Sequence, residues 1–274
     1  MTKAAALIEN ILPKVKASSL SRPQVIAPYV RSGQFSWGPV LCLLVSRTTF
    51  AFLVQACLAL IFFLRGDAAP WQATIPYWSV YGTVIDLGCL LLMARFLKRE
   101  GLRLRDLVGR SPASLLHDVL LGLGLFMLMF PTFIIGGTIL SNLLVYGELQ
   151  PAVGSGLLTM RQLPGWAVVY SLFVWWIIWS PTEELTYNGY VLPRLEQLTG
   201  RPWLALVLVS FWLAFQHCLF PLMLDWKYVL WRFLVFLPVS IVFPLLYRRL
   251  QRLRPLIFTQ WPMDFLAALL TLAR

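Results

Sequence analysis

Long apolar runs, separated by short polar stretches, account for most of the chain. A helix that crosses a bilayer needs about 20 apolar residues, so runs of this length predict membrane-spanning helices. About seven such runs are present, and they cover residues 39–64, 74–97, 115–145, 166–198, 203–222, 227–247 and 255–272. The third and fourth runs contain Pro131, Pro181 and Pro193, which predict kinks or tilts. The pattern therefore predicts an all-α polytopic membrane protein with about seven transmembrane helices.

The composition agrees with a membrane protein. Of the 274 residues, 59% are hydrophobic and 13% are charged, whereas soluble domains are about half apolar and about a quarter charged. The four cysteines lie inside apolar runs, and their spacing matches no zinc site. We interpret them as small hydrophobic packing residues. The first long apolar run begins only near Pro39, so no cleavable signal peptide is expected.

Lysine and arginine are concentrated in alternate loops, as the positive-inside rule describes. The loops after the second, fourth and sixth runs hold Arg95, Lys98, Arg99, Arg103, Arg105, Arg110, Arg194, Arg201, Arg248, Arg249, Arg252 and Arg254. The other three loops contain only Arg65, Arg161 and Lys227. We therefore predict a protein of the cell membrane with a cytoplasmic N-terminus and, after seven spans, a C-terminus outside. The net charge of +11 reflects this distribution, so nucleic acid is not an expected partner.

Two regions follow from the pattern, a basic cytoplasmic tail over residues 1–37 and a transmembrane helical domain over residues 38–274. In the tail, apolar residues recur at helical spacing beside three lysines. They are Ala4, Leu7, Ile8, Ile11, Leu12 and Val15, with Lys3, Lys14 and Lys16 next to them. A short helix on an anionic membrane surface fits this pattern. A disordered tail fits it nearly as well.

Charged residues inside predicted spans are costly and therefore informative. Arg47 lies less than three turns from the cytoplasmic end of the first run, so we expect its side chain to snorkel to the interface. Asp86 lies in the middle of the second run. Pairing of Asp86 with Arg47 across the bundle and a catalytic role for Asp86 are both open.

Further polar residues lie deep in the fourth, fifth and seventh runs. They are Glu183, Glu184, His217, Gln260 and Asp264. A tight turn at Gly200 joins the fourth run to the fifth, and Glu184 precedes this glycine by 16 residues while His217 follows it by 17. At about 1.5 Å per residue, both lie about 25 Å from the turn of an antiparallel hairpin. We therefore expect Glu184 and His217 to face each other at one depth.

The seventh run adds a second polar pair. Gln260 and Asp264 are spaced i, i+4 and share one helix face, as do Glu184 and Asn188. The seventh run starts near Pro255, which places its pair closer to the cytoplasmic side. A tilted helix would bring this pair towards the hairpin.

A pair of glutamates opposite a histidine is suited to hydrolysis. A buried carboxylate tuned towards neutral pH takes a proton from water, and an imidazole orients that water or carries the proton onward. Asn188 or Gln260 would stabilise a developing oxyanion. Metal ligation is one alternative, although one histidine and a few acids are a thin set for zinc and no HExxH is present. A polar cluster that only holds helices together is the other.

The same stretches resemble the CPBP family of intramembrane proteases, which includes CAAX-processing and bacteriocin-processing enzymes. The family pattern is EExxxR, FxxxH and HxxxN or HxxxD on successive helices of an all-helical membrane core. Here the matching stretches are EELTYN with the continuation NGYVLPRL, then LAFQH, then QWPMD. The resemblance covers about residues 166–270. It implies that Glu183 is the water-activating base, with His217 as its partner and Glu184 in support.

The resemblance also implies that Gln260 and Asp264, in the third motif, bind the oxyanion or complete the site. Three positions depart from the family pattern: Asn188 replaces arginine, Leu213 replaces phenylalanine and Gln260 replaces histidine. Glutamine donates a hydrogen bond as neutral histidine does, but it does not titrate. Asn188 brings no cation to the two adjacent acids. We therefore predict that one glutamate is protonated at neutral pH or paired elsewhere, for example through Tyr187 or Asn188.

These observations predict an intramembrane endopeptidase that hydrolyses a peptide bond of a membrane-associated protein or peptide. Its partners would be the lipid bilayer and that substrate, and no metal cofactor is expected, with zinc as the alternative. The runner-up is a pseudoprotease, a membrane scaffold or binding protein that keeps the fold without turnover. Asn188 and Gln260 favour this runner-up. A transporter is less well supported, because no internal repeat is present.

Overall fold

The computed structural model describes residues 36–108, 114–150 and 163–272, and this part of the chain is helical without a β-strand. Helices of at least eight residues are labelled in chain order. They are α1 (Trp37–Leu64), α2 (Trp78–Arg99), α3 (Leu115–Met129), α4 (Gly136–Tyr146), α5 (Gly165–Phe173), α6 (Trp175–Glu184), α7 (Leu192–Thr199), α8 (Pro202–Gln216), α9 (Trp226–Leu250) and α10 (Arg254–Leu272). Shorter helical segments are Pro70–Thr74, Ile75–Tyr77 and Leu104–Val108. The predicted all-α class is confirmed.

Within the described residues, four helical stretches are long and apolar enough to cross a membrane. They are Trp37–Leu64, Pro70–Arg99, Leu115–Tyr146 and Trp226–Leu250. The protein is therefore a multi-pass membrane protein. The predicted count of seven spans stays a prediction, because the fourth run forms a broken helix and the fifth a shorter one.

The two proline-containing runs are irregular, as predicted. A π-helix over Phe130–Ile135 contains Pro131 and joins α3 to α4, and a second π-helix over Leu185–Val191 joins α6 to α7. Pro181 lies inside α6, one turn before this second segment. Proline removes a backbone donor and crowds the preceding turn, and the wider π-turn accommodates that change.

The prediction of one helix over residues 203–222 is wrong over its last six residues. Helix α8 ends at Gln216, and His217 occupies its C-cap. The carbonyls of His217 and Phe220 accept hydrogen bonds from Arg232 of α9, at 3.2 and 3.0 Å. Pro221 brings no backbone N–H, so the chain leaves the helix where a side chain can satisfy its carbonyls.

The segment that carries the glutamates is the most enclosed part of the fold. Every residue from Thr182 to Leu195 is buried, and helices α1, α8 and α9 pack around this stretch together with the segment Leu104–Val108. The predicted tail helix and the loop residues Arg110 and Arg161 lie outside the described residues. The stretch from 182 to 195 is therefore an inner helix, screened from lipid by its neighbours.

Helix α10 reaches the centre because α3 approaches it closely at Gly122. A Cβ at this position would lie 2.6 Å from Phe258 Cβ and 2.8 Å from the carbonyl oxygen of Pro255. The carbonyl of Gly122 also accepts a hydrogen bond of 3.2 Å from Thr259 of α10. Small residues permit such contacts between membrane helices. Gly122 thus sets the depth to which Gln260, the residue after Thr259, enters the bundle.

Gly122→Ala is therefore expected to destabilise the protein by about 1–3 kcal/mol through overpacking. Gly124→Ala on the same helix is the matched control, because nothing lies within 4 Å of a Cβ there. Thermal unfolding in detergent should show a lower midpoint for Gly122→Ala, and an unchanged or slightly higher midpoint for the control. Equal midpoints for the two variants would contradict the close approach.

Candidate active site

Glu183, at the last turn of α6, is buried in the centre of the fold and contacts side chains from several other elements. Its Oε2 accepts a hydrogen bond from Gln216 of α8, and its Oε1 accepts one from Gln260 of α10. The same Oε2 lies 3.8 Å from Nε2 of His217 and 3.9 Å from Nη2 of Arg47 on α1. Three other helices and the α8 C-cap therefore converge on one carboxylate.

His217 is held in place by the end of α8 and by α9. Its ring stacks on Phe236, with centroids 3.8 Å apart and planes inclined by 11°. Gln55 of α1 fixes the following loop by bonding both the backbone N–H and the carbonyl of Leu222, each at 3.0 Å. The side chain of His217 keeps 13% of its surface exposed, whereas that of Glu183 keeps 3%. The imidazole thus lies between the buried carboxylate and more open space.

The pairing predicted from depth is off by one residue. Glu183, not Glu184, faces His217, because neighbouring helical residues point about 100° apart. Glu184 accepts a hydrogen bond of 2.9 Å from Asn188, while its other oxygen is buried without a hydrogen-bond partner among the described residues. Glu184 is therefore paired with Asn188. This was one of the alternatives predicted for a glutamate without a neighbouring cation.

Helix α10 does bring its polar pair to the hairpin. Gln260 donates an amide N–H to Glu183, and Asp264 accepts a hydrogen bond of 2.6 Å from Ser180 of α6. The i, i+4 spacing places both side chains on the face that packs against α6. Of the predicted site residues, His217 and Gln260 approach Glu183 directly, Asp264 is held by Ser180, and Glu184 pairs with Asn188 instead.

Arg47 does not snorkel to the interface, which corrects the expectation from its position. The side chain is fully buried, and its guanidinium donates to Asp86 of α2 and to Oε1 of Gln216. It also lies over the ring of Trp179, 4.3 Å from the centroid. The predicted ion pair with Asp86 is confirmed. The side chain stays buried because an acid, an amide and an aromatic face together replace the solvation that the headgroup region would provide.

A cavity of about 210 Å³ opens beside Glu183 and His217. Its walls are mostly aromatic and aliphatic side chains from α6, α8, α9 and the first π-helix, including Trp179, Leu213 and Phe236. The polar lining residues include Glu183, His217, Arg232, Gln260 and Asp264. Glu184 and Asn188 are not part of this lining. An apolar cavity with a few converging polar groups is the usual form of a ligand or substrate site.

A comparison with protein-family models identifies the region that carries this site. Residues 164–266 match the type II CAAX prenyl endopeptidase Rce1-like family. The match begins just before α5 and ends within α10, so it contains Glu183, His217 and Gln260. It confirms the resemblance to CPBP intramembrane proteases that the sequence motifs indicated. No curated protein and no solved structure matches the chain.

Residues outside the matched region contact the site within it. Arg47 and Asp86 come from α1 and α2, which precede the matched residues. Asn188 brings no cation to the glutamate pair, and the guanidinium near Glu183 comes instead from α1. A cation next to the pair is thus supplied by another helix.

Metal binding was the alternative for the same donor set. Among the described residues, no group of three or more His, Cys, Asp or Glu side chains is placed to hold a metal ion. Gln216 and Gln260 occupy the oxygens of Glu183 with amide N–H groups. The prediction of catalysis without a metal stays a prediction.

The residue that the sequence reasoning missed is Gln216. It is polar, it lies in an apolar run, and it is adjacent to His217. The depth count that placed His217 opposite the glutamates applies equally to its neighbour. That signal was present in the sequence, but the contact with Glu183 depends on how α8 is rotated.

Proposed function

We propose that the protein is an intramembrane endopeptidase that hydrolyses a peptide bond of a membrane-associated protein or peptide. The observation that carries this proposal is the approach of the Glu183 carboxylate to His217 Nε2, 3.8 Å apart, in the wall of a largely apolar cavity. The match of residues 164–266 to an endopeptidase family supports the same reaction class. The substrate is taken to be anchored in the bilayer, since the cavity lies within a multi-pass bundle.

In the proposed reaction, Glu183 takes a proton from a water molecule, and the resulting hydroxide attacks the carbonyl carbon of the scissile bond. The proton is then delivered to the amide nitrogen, the C–N bond breaks, and a carboxylic acid and an amine are released, with Glu183 again ionised. His217 orients the water and carries the proton, because its ring lies between Glu183 and the open side of the cavity. No metal cofactor takes part.

The oxyanion of the tetrahedral intermediate needs a donor within the cavity. Gln260 lines the cavity and is the proposed donor, turning its amide from Glu183 Oε1 towards the substrate. Asp264 supports α10 through Ser180, and Glu184 supports α6 with Asn188. Supporting roles are therefore assigned to Asp264, Glu184 and Asn188, because their hydrogen bonds join them to other side chains of the protein.

We further propose that the protein lies in the cell membrane with its N-terminus in the cytoplasm. The alternation of basic and neutral loops supports this orientation. Residues 1–37 would then form the cytoplasmic basic region, and residues 38–274 the transmembrane domain.

A pseudoprotease is the second candidate, and one observation favours it. Both oxygens of Glu183 already accept amide hydrogen bonds, and one of these amides belongs to Gln260, which stands where the family pattern has histidine. A protein with this fold and no turnover would act by binding a membrane protein or peptide in the same cavity.

The experiment is hydrolysis by the full-length protein reconstituted in liposomes, tested on a panel of free and membrane-anchored peptides. Wild type is expected to cleave at least one member, to incorporate one ¹⁸O from labelled water into the new carboxyl group, and to resist metal chelators. Empty liposomes carried through the same preparation control for contaminating proteases. Gln260→His tests the second candidate: an inert wild type that gains cleavage with this substitution would replace the proposed function with a pseudoprotease.

A further inference from the structure

We propose that Arg47 is the positioning residue of Glu183: its guanidinium keeps this carboxylate ionised, and through Gln216 it fixes the orientation of the carboxylate. Its consequence for turnover rests on the proposed function.

The guanidinium of Arg47 is directed at Gln216 and Glu183 as well as at Asp86. Its Nε donates to Gln216 Oε1 at 2.5 Å, and its Nη1 donates to Asp86. Its Nη2 is buried without a hydrogen-bond partner among the described residues and lies 3.9 Å from Glu183 Oε2. An arginine that served Asp86 alone would need only one edge of its fork. Here the second edge points to Gln216 and Glu183.

The side chain of Gln216 ends in an amide, whose oxygen accepts and whose nitrogen donates hydrogen bonds. Because Arg47 Nε holds its oxygen, its nitrogen must point away from the arginine, and it points to Glu183 Oε2. A turned amide would place its nitrogen against a cation and its oxygen against a carboxylate. Arg47 therefore decides the orientation of Gln216, and Gln216 holds one oxygen of Glu183 while Gln260 holds the other.

Several buried acids lie near Arg47, and their distances from its guanidinium differ. Asp86, Glu183 and Glu184 are all nearly or fully buried, and Arg47 is within ion-pair distance of the first two only. Arg232 lines the cavity, and its described hydrogen bonds go to the backbone carbonyls of residues 217 and 220. An isolated buried carboxylate favours its neutral form, whereas a cation at close range favours the ionised form. Arg47 thus distinguishes two chemically identical neighbours, leaving Glu183 ionised and Glu184 to Asn188.

The test is infrared spectroscopy of the purified full-length protein in nanodiscs, in H₂O and D₂O, which detects protonated carboxyl groups without any substrate. Arg47→Met/Asp86→Asn is expected to show one protonated carboxyl more than Asp86→Asn alone. Adding Glu183→Gln should remove that extra signal. Absence of the extra signal would overturn the proposal and leave Arg47 as a partner of Asp86 only. Arg194→Met, at the separate buried pair with Glu100, is the control, and any signal it adds should survive Glu183→Gln.

A second measurement keeps the proposal testable if Arg47→Met does not fold. Asp86→Asn and Glu183→Gln each leave Arg47 one acid, and together they leave it none. The double variant is therefore expected to lose more thermal stability than the sum of the single variants, because an uncompensated buried charge is strongly destabilising. Strictly additive losses would contradict the shared role of Arg47.

The consequence for turnover is measured separately. On a peptide that wild type cleaves, Arg47→Met should lower kcat at least tenfold with KM little changed, and Arg47→Lys should recover part of this loss. A spectroscopic result as expected, with a wild type that cleaves nothing, would reject the proposed function and support the charge assignment. A normal kcat in Arg47→Met would reject the positioning role while leaving the proposed function intact.

Discussion

Glu183→Gln is expected to lower peptide hydrolysis at least about 100-fold, because a general base contributes about 10²–10⁴-fold to the rate. The substitution preserves size but replaces one carboxylate oxygen with an amide NH2 and removes the charge, so the side chain no longer takes a proton from water. Gln260 can turn its amide to match the new side chain, since its Oε1 has no hydrogen-bond partner among the described residues. The fold should therefore survive, and the loss should appear in kcat for liposome-reconstituted protein.

Glu184→Gln is the matched comparison, because the same change is made one residue along the same buried helix. Its side chain is outside the cavity lining and bonds Asn188, so a loss of no more than about tenfold is expected. That bound is set by the smaller contribution of one supporting hydrogen bond, about 1 kcal/mol. If Glu184→Gln were the inactive variant and Glu183→Gln the active one, the assignment of the base would be wrong.

His217→Ala is expected to reduce hydrolysis about 100-fold, through loss of the group that orients water and carries the proton. The imidazole is at the C-cap of α8, where its removal leaves the backbone bonds from Arg232 in place. Thermal unfolding should therefore change much less than turnover.

The chain contains two histidines, which supplies an internal control. His117 lies in the first turn of α3 with 59% of its side chain exposed, and it is not part of the cavity lining. His117→Ala should leave hydrolysis unchanged. Equal losses in His117→Ala and His217→Ala would point to a general effect on the preparation and against a role for His217.

Much of the site was predictable because depth along a helix is a local property. The tight turn at Gly200 and a fixed rise per residue are enough to place the glutamates and His217 at one level. The spacing of Gln260 and Asp264 likewise predicted a shared face, and the structure places that face against α6. The membrane class followed from the length of the apolar runs alone.

Rotation and termination of helices were harder to predict. Which of two adjacent glutamates faces His217 depends on the azimuth of α6, and the spacing of apolar residues does not specify that azimuth closely enough. The end of α8 at Gln216 depends on Arg232, which comes from a helix later in the chain. Gln216 was overlooked for a similar reason, since its contact partner is set by the rotation of α8.

By itself, the sequence determined that the chain is an all-helical membrane protein and that a few polar residues meet deep inside it. These properties depend on residue type, run length and spacing, which are all local. Only the tertiary structure decided that Arg47 turns inward to Asp86 and Gln216, and that Glu183 is the carboxylate facing His217. The physical reason is that a buried charge goes to whichever partners compensate it best, and here those partners come from helices far apart in the chain.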